Sequence, residues 1–219
     1  MTSPQRSAII GIMADSHGRP DTIAAAAAYL KARECSALFH LGDICDTLRP
    51  ETVWACIDLI KTHGMTALKG NNDHSMAGNL AQRRDRADLQ AAADYLKSLP
   101  IVHHYGNATF THSRPFVQEL GPVSLIGSMD EAEAQRFFAT SPDALLFRGH
   151  AHAPGIMWLH AHDTVSRAIS PPETIDLSVK TPCVVTCGAL THGFCMIWYP
   201  QEARLVCHRF TNTDAGSAI

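Results

Sequence analysis

Five short motifs place candidate metal ligands at predicted turns of this chain. In order they are Asp15-Ser16-His17, Gly42-Asp43-Ile44-Cys45-Asp46, Gly70-Asn71-Asn72-Asp73-His74, Thr111-His112-Ser113 and Gly149-His150-Ala151-His152. Four of them follow an apolar run that is typical of a β-strand, and His112 closes a further run. Carboxylate, amide and imidazole ligands without thiolates suit Mn, Fe, Zn, Ni or Co, and more than one ion can bind at once. The motifs therefore indicate one metal centre built from loops at strand ends.

The spacing within the motifs supports this interpretation. Asp15 and His17 are two residues apart, as are His150 and His152, so in an extended backbone both members of a pair can face one ion. A glycine precedes Asp43 and permits a sharp turn that brings its carboxylate inward. The two oxygens of that carboxylate would allow Asp43 to bridge two ions. A single histidine at a strand end is more often structural, but the ordered set of motifs favours chemistry.

Composition and charge limit the classes of function. The chain has 219 residues, of which 46% are hydrophobic and 18% charged, which predicts one globular domain over residues 1–210 and a disordered tail at 211–219. The net charge of −3 argues against stable nucleic-acid binding and against an anionic membrane surface. The one basic cluster, at residues 83–86, is interpreted as a solvated helix face. Thirteen histidines are an excess that points to chemistry.

Cysteine usage and hydropathy predict a soluble, cytoplasmic protein. The seven cysteines include no CxxC pair, so neither a zinc ribbon nor a thioredoxin-type site is indicated. Most of them lie in apolar helix or strand patterns, as expected of buried thiols in a reducing compartment. No apolar run approaches the roughly 18 residues that would cross a membrane.

The first half of the chain alternates predicted strands and helices. Strands are expected at 8–13, 37–41 and 65–69, and helices at 22–33, 51–62 and 80–98. Two successive strand–helix–strand units specify a parallel sheet. A hairpin is expected over 101–112, since Gly106-Asn107 separates two short strands, followed by a loop at 113–128 that covers the site.

The second half predicts a further sheet. A helix at 130–140 and a strand at 144–147 lead to short strands at 156–159, 174–179, 183–186, 193–198 and 204–210. Because no helices separate these last strands, we expect them to form an antiparallel second sheet. The predicted fold class is α/β, a four-layer α/β/β/α sandwich of two mixed sheets flanked by helices. Exposed edges of the C-terminal sheet are compatible with a homodimer.

The motifs resemble those of the calcineurin-like metallophosphoesterase superfamily, in particular its small bacterial and archaeal phosphodiesterase branch. In chain order the matching patterns are Asp-x-His, Gly-Asp-x-x-Asp, Gly-Asn-x-Asp, His and Gly-His-x-His. The resemblance covers residues 8 to about 152 through the motifs. It implies two divalent ions, with Mn first and Fe, Zn, Ni, Co or Mg as alternatives. It also implies a bridging hydroxide that attacks phosphorus in line. The implied ligands are Asp15, His17 and His152 for one ion, Asn71, His112 and His150 for the other, and Asp43 as the bridge.

One departure from the family concerns the leaving group. Where the phosphatase branch has a histidine that acts as general acid, this chain has Asn72, which cannot deliver a proton. The leaving group must then be stable on its own, as in a phosphoanhydride or aryl ester, or be protonated by another residue. His74 is the nearest candidate. Asp46 matches the family aspartate that orients the acid, and Asp73 is expected in the layer behind the ligands.

The resemblance therefore predicts an enzyme that acts on a small phosphoester or nucleotide, either a phosphodiesterase or a nucleotide-pyrophosphate hydrolase. A phosphomonoesterase or protein phosphatase is an alternative, although Thr47 stands where protein phosphatases have an arginine. A non-catalytic protein-binding scaffold on the same fold is another alternative. That scaffold class predicts eroded ligands, whereas all seven are present in this sequence.

Overall fold

Two six-stranded mixed sheets face each other in the computed structural model of this chain, which describes residues 8–210. The strands are β1 Ile10–Met13, β2 Ala37–His40, β3 Thr66–Ala67, β4 Val102–Tyr105, β5 Ala108–Thr111, β6 Leu145–Arg148, β7 Gly155–His160, β8 Asp163–Ala168, β9 Glu173–Asp176, β10 Cys183–Thr186, β11 Phe194–Tyr199 and β12 Arg204–Arg209. The α-helices are α1 Pro20–Lys31, α2 Val53–Thr62, α3 Asn71–Ala81, α4 Ala87–Ser98, α5 Val117–Leu120 and α6 Glu131–Thr140.

The first sheet has the order β3-β2-β1-β11-β12-β9. Strands β1, β2 and β3 are parallel, as the alternation of strands and helices predicts, and β1 pairs antiparallel with β11. All four residues of β1 are buried, because the strand lies inside the sheet with side chains packed on both faces. The carboxyl ends of the three parallel strands therefore share one edge of this sheet.

The second sheet has the order β4-β5-β6-β10-β7-β8. The predicted separate antiparallel sheet of C-terminal strands is wrong, because these strands divide between the two sheets. Strands β9, β11 and β12 join the first sheet, while β7, β8 and β10 join the second, where β10 pairs parallel with β6. This division gives β1 and β6 a second neighbour each, so neither leaves its backbone groups unpaired at an open edge.

Hydrophobic packing confirms the predicted α/β/β/α order of layers. Between the sheets, the rings of Phe39 and Phe110 stack with centroids 4.4 Å apart, and Phe147 lies 5.1 Å from the Trp198 ring. Helices α1 to α4 pack on the outer face of the first sheet. Helix α6 covers the outer face of the second sheet.

The helix predicted over 80–98 is wrong in its bounds. The structure has two helices, α3 and α4, and the basic cluster at 83–86 lies in the exposed turn between them rather than on a helix face. Helix α3 begins at Asn71, inside the third motif, because the Asp73 carboxylate accepts a hydrogen bond from Gly70 N at 2.9 Å and caps the first turn. A predicted ligand therefore lies at the first position of this helix.

The loop predicted to cover the site also differs from expectation. Residues 113–128 contain α5 and pack along α6, where Arg114 Nη1 lies 2.8 Å from Glu133 Oε1 and the Arg136 guanidinium lies 4.1 Å from the Phe116 ring centroid. Apolar burial of Phe116 beside α6 accounts for this placement.

Strand β8 lies in a segment for which the sequence predicted no strand. The predicted tail at 211–219 lies outside the described residues, and within them no helix has both the length and the hydrophobicity to span a membrane.

Candidate metal centre

All five motifs follow the carboxyl ends of strands, and the tertiary fold brings them together. The loops after β1, β2 and β3 come from the first sheet, and those after β5 and β6 come from the second. The first two loops are joined directly, since His17 N donates to the Asp43 carbonyl at 2.9 Å and Asp15 N donates to the Gly42 carbonyl at 3.0 Å. The fourth and fifth are joined by Gly149 N donating to the His112 carbonyl at 3.0 Å.

A first group of side chains consists of Asp15, His17 and His152. The Nε2 atoms of the two histidines lie 3.1 Å apart, and each lies about 4 Å from Asp15 Oδ1, at 4.0 Å for His17 and 3.9 Å for His152. One ligand atom from each residue lies within 4.8 Å of the others, as is needed to hold one metal ion. Both imidazoles reach the surface, whereas Asp15 is fully buried.

A second group consists of Asn71, His112 and His150. Asn71 Oδ1 lies 3.0 Å from His112 Nε2 and 3.0 Å from His150 Nδ1, and the two ring nitrogens are 3.2 Å apart. Two ligands of one ion, each bound at about 2.0 to 2.2 Å, lie about 3 to 3.5 Å from each other. The three separations in this group fit that range, as does the separation of the two histidines in the first group.

The Asp43 carboxylate lies between the two groups. Its Oδ2 is 3.8 Å from His17 Nε2 in the first group, and its Oδ1 is 3.5 Å from His112 Nε2 in the second. Each oxygen therefore faces a different group. This arrangement suits a carboxylate that bridges two cations through its two oxygens.

Backbone conformation marks the same residues. Among the predicted ligands, four have positive φ: Asp15 at 58°, His17 at 46°, Asp43 at 53° and His150 at 66°. Left-handed conformations are uncommon outside glycine and cluster at functional sites, where the surrounding structure enforces them. In this chain the hydrogen bonds between the motif loops supply that enforcement.

Electrostatics favour a cation at this place. Burial, followed by repulsion from Asp43, raises the pKa of Asp15 well above its usual value. Burial lowers the pKa values of His112 and His152, and that of His150 to about 4, so these imidazoles are neutral at physiological pH. Neutral imidazoles are the form that binds metals, and a cation would relieve the repulsion between the two carboxylates. The donor set therefore fits divalent ions.

Two further carboxylates, those of Asp46 and Asp73, lie close to the candidate ligands or to the loops that carry them. Asp46 Oδ2 lies 3.6 Å from His17 Nδ1, on the ring nitrogen that does not face His152. Such a carboxylate fixes the orientation of a metal-binding imidazole. Asp46 is therefore placed beside a candidate ligand. Asp73 is fully buried, and its oxygens accept hydrogen bonds from the backbone of the loop after β2.

The two residues considered for proton transfer occupy different environments. Asn72 lies against Asp43, with its Nδ2 at 2.7 Å from Asp43 Oδ2. His74 is exposed and lines a small surface depression together with Lys69 and Lys97. Within residues 8–210, no side-chain contact joins His74 to the candidate ligands. The catalytic role considered for His74 stays a prediction without geometric support.

Sequence reasoning did not identify Ser16 and Arg148 as residues of this centre. The Ser16 hydroxyl donates to the Ile44 carbonyl at 3.1 Å and accepts from His40 Nε2 at 3.0 Å, which ties the first motif to the second. Arg148 is buried, and its Nε donates to the Ser113 carbonyl at 3.0 Å, beside His112. For Arg148, the available signal in the sequence was an arginine at the end of an otherwise apolar strand.

Comparison with solved structures shows the same fold in other proteins. A metallophosphoesterase from Sphaerobacter thermophilus is 22% identical, with 94% of this chain and 89% of that chain covered and a TM-score of 0.67. An archaeal phosphodiesterase is 14% identical, with coverage of 92% and 99% and a TM-score of 0.51. A proposed diadenosine tetraphosphatase is 14% identical, with coverage of 94% and 96% and a TM-score of 0.54. At these identities the similarity concerns the fold.

Comparison with curated proteins finds no match. A family model, by contrast, matches most of the chain: the calcineurin-like phosphoesterase superfamily domain aligns with residues 9–186. That range contains all five motifs and both groups of candidate ligands. The chain belongs to the calcineurin-like phosphoesterase superfamily.

Proposed function

We propose that this protein is a dinuclear metal-dependent phosphoester hydrolase that acts on phosphodiesters or nucleotide phosphoanhydrides. The observation that carries the proposal is the position of Asp43, whose two oxygens face two separate groups of ligands. A protein that holds one structural ion would not need a carboxylate between two such groups. Mn is the metal we expect first, since the oxygen and imidazole donor set suits it, with Fe, Zn, Ni, Co and Mg as alternatives.

The proposed roles follow from the contacts of each side chain. When two divalent ions are bound, they supply Lewis-acid activation of water and neutralise charge on the phosphoryl oxygens. Asp15, His17 and His152 would hold one ion, and Asn71, His112 and His150 the other. The exposed sides of His17 and His152 leave the first group open to solvent, so a phosphoester can approach from there. Asp46 would keep the His17 ring in its binding orientation.

The proposed substrate class follows from what stands beside Asp43. Asn72 has no titratable proton, so it cannot protonate an alkoxide leaving group. A nucleotide or phosphoanhydride leaving group, or an aryl oxide, is stable enough to depart without such help. Phosphodiester or pyrophosphate hydrolysis is therefore favoured over simple alkyl monoesters. The fold that this chain shares with an archaeal phosphodiesterase and with a proposed diadenosine tetraphosphatase supports the same class.

Location and assembly complete the proposal. We expect a cytoplasmic protein, because all seven cysteines are free and buried, which is typical of reducing compartments. A homodimer through a sheet edge stays a prediction, for which the exposed outer strand β8 is the available surface. Nucleic acid is not an expected stable partner at a net charge of −3.

The test is hydrolysis of bis-p-nitrophenyl phosphate by purified protein supplied with Mn²⁺. We expect turnover by wild type and loss of nearly all activity in Asp43→Asn, since the variant removes the bridging charge but keeps the side-chain volume. Asp163→Asn, at an exposed position of β8, is the control that should retain full activity. A panel of dinucleoside polyphosphates, cyclic nucleotides and monoesters would then define the substrate. If wild type hydrolyses none of these phosphoesters with Mn, Fe, Zn, Ni, Co or Mg, the proposal is overturned in favour of a binding scaffold.

A further inference from the structure

Asn72 contacts both oxygens of the Asp43 carboxylate. Its backbone N–H donates to Asp43 Oδ1 at 2.8 Å, and its side-chain Nδ2 donates to Asp43 Oδ2 at 2.7 Å. The side-chain nitrogen must face Asp43, because the amide oxygen of Asn72 has no hydrogen to donate to a carboxylate. One residue therefore holds the central carboxylate at two points.

This pair of hydrogen bonds determines where the carboxylate plane points. The terminal torsion of an aspartate has a broad energy profile, so the side chain alone does not select one orientation. With Asn72 holding both oxygens, Oδ1 stays 3.5 Å from His112 Nε2 and Oδ2 stays 3.8 Å from His17 Nε2. A free carboxylate could rotate and withdraw one oxygen from its ligand group.

The backbone under Asn72 is fixed relative to Asp43. A Cβ atom on Gly70 would lie 2.2 Å from both Asp43 N and Asp43 Oδ1, so the start of α3 is in direct contact with this aspartate. Asp73 in turn accepts hydrogen bonds from Cys45 N at 2.9 Å and Ile44 N at 3.3 Å. The loop after β2 and the first turn of α3 thus exchange hydrogen bonds in both directions.

The chemistry of the amide suits this position. An amide N–H₂ group donates to a carboxylate without neutralising it, so Asp43 keeps the negative charge that a bridging ligand needs. An aspartate in place of Asn72 would put two like charges in contact. Alanine would leave the Oδ2 atom of Asp43 without its side-chain donor.

We propose that Asn72 is a positioning residue that orients the Asp43 carboxylate so that it bridges two metal ions. The inference rests on the proposed function in one respect, namely that two ions bind at this centre. It gives the amide a role in metal binding rather than in proton transfer. It also accounts for the presence of a non-titratable residue at this point of the third motif.

The test is Mn²⁺ binding to metal-stripped protein by isothermal titration calorimetry, with electron paramagnetic resonance of the loaded protein. We expect Asn72→Ala to weaken binding of at least one Mn²⁺ by about tenfold, the loss expected for one charge-assisted hydrogen bond. We also expect it to reduce the spin-coupled signal of a bridged Mn pair. Asn79→Ala, at an exposed position of the same helix, should bind Mn²⁺ as wild type does.

The outcomes separate this inference from its alternatives. If Asn72→Ala binds Mn²⁺ as wild type does, the positioning role is overturned, whatever its rate of hydrolysis. Wild-type Mn²⁺ binding together with lost hydrolysis would assign Asn72 to substrate contact. If Asn72→Ala does not fold, Asn72→Leu carries the test, because leucine keeps a similar side-chain shape without a donor, and unchanged Mn²⁺ binding in that variant would overturn the inference as well. Wild type that binds two Mn²⁺ ions but cleaves no phosphoester would overturn the proposed function and leave the Asn72 inference intact.

Discussion

The Asp73 carboxylate accepts a hydrogen bond from the backbone N–H of Cys45 at 2.9 Å and thereby joins α3 to the loop that carries Asp43. Its other oxygen accepts from Gly70 N at 2.9 Å and from Ile44 N at 3.3 Å. Burial, followed by repulsion from Asp43, raises the pKa of Asp73 to about 7. A single fully buried side chain therefore holds two motif loops together.

Removal of this carboxylate should be costly. Asp73→Ala leaves three buried backbone donors without their partner, and each unsatisfied donor costs about 1 to 3 kcal/mol. Because burial of the charged carboxylate is itself unfavourable, as its raised pKa indicates, part of this cost is offset, and we expect the free energy of unfolding to fall by about 2 to 4 kcal/mol. Urea denaturation in the presence of a chelator measures this change without a contribution from bound metal. Asp85→Ala, in the exposed turn before α4, should change stability by less than about 0.5 kcal/mol.

Two glycines of the third motif and its helix offer a matched pair of substitutions. A Cβ on Gly70 would meet Asp43 N and Oδ1 at 2.2 Å, whereas a Cβ on Gly78 of α3 has nothing within 4 Å. Gly70→Ala should displace Asp43, weaken Mn²⁺ binding by at least about tenfold, and destabilise the fold by about 1 to 3 kcal/mol. Gly78→Ala should stabilise the helix by about 0.5 to 1 kcal/mol.

Calorimetric Mn²⁺ titration and thermal denaturation measure both glycine effects. The backbone of Gly70 is extended, with φ of −97°, so alanine is not excluded by conformation and the expected loss is steric. Wild-type metal affinity in Gly70→Ala would contradict the close packing of Asp43 against α3.

The buried histidine of β2 should make stability depend on pH. Burial lowers the pKa of His40 from 6.5 to about 3. Between these values the unfolded chain binds a proton that the native protein does not, so the free energy of unfolding falls as pH drops below 6.5, by about 1.4 kcal/mol per unit. Above this window the contribution is constant. His40→Gln can keep a donor to the Ser16 hydroxyl without titrating.

Urea denaturation of metal-free wild type and His40→Gln, at several pH values from about 4 to 6, measures the free energy of unfolding of both proteins. We expect the free energy of unfolding to change less steeply with pH in His40→Gln than in wild type. The difference in slope should correspond to about one proton bound on unfolding. Equal slopes would show that His40 is protonated in the native protein or exposed before global unfolding.

The thiols should be unreactive in the folded protein. All seven cysteines are buried, and burial raises the pKa of Cys56 to about 12 and that of Cys207 to about 12. The Cys187 thiol donates to the Ile12 carbonyl at 3.5 Å and has a pKa raised by burial. Ellman's reagent should therefore modify less than about one thiol per native chain, since only thiolates react.

The unfolded chain in guanidinium chloride is the control, and there all seven thiols should react. Rapid modification of a native thiol would identify a cysteine that the fold exposes by local opening. Mass mapping of the labelled peptide would then locate it.

Much of the candidate site was predictable because its signals are local in sequence. Aspartate and histidine two residues apart at a strand end, or a glycine directly before Asp43, limit the backbone conformation and the ligand chemistry over a few residues. The apolar runs before the motifs likewise predicted the parallel strands β1 to β3. The four-layer arrangement followed from the need to cover both faces of two sheets.

Other features depend on contacts between residues distant in the chain. The start of α3 is set by Asp73 and its contacts with the loop after β2, so apolar spacing alone predicted one helix over 80–98 and missed α3. The C-terminal strands divide between the sheets because β1 and β6 each need a further neighbour, and strand periodicity carries no information about the partner. Asp46 likewise lies beside His17 through a contact that the motif spacing does not specify.

The sequence by itself determined which side chains are available as ligands and that they follow strand ends. It also determined that position 72 carries Asn, which has no titratable side chain. Only the tertiary structure decided that one Asp43 oxygen faces His17, the other faces His112, and that Asn72 holds both. The physical reason is that donor type and backbone turns are properties of a few neighbouring residues. The orientation of a carboxylate is set by hydrogen bonds that arrive from another part of the fold.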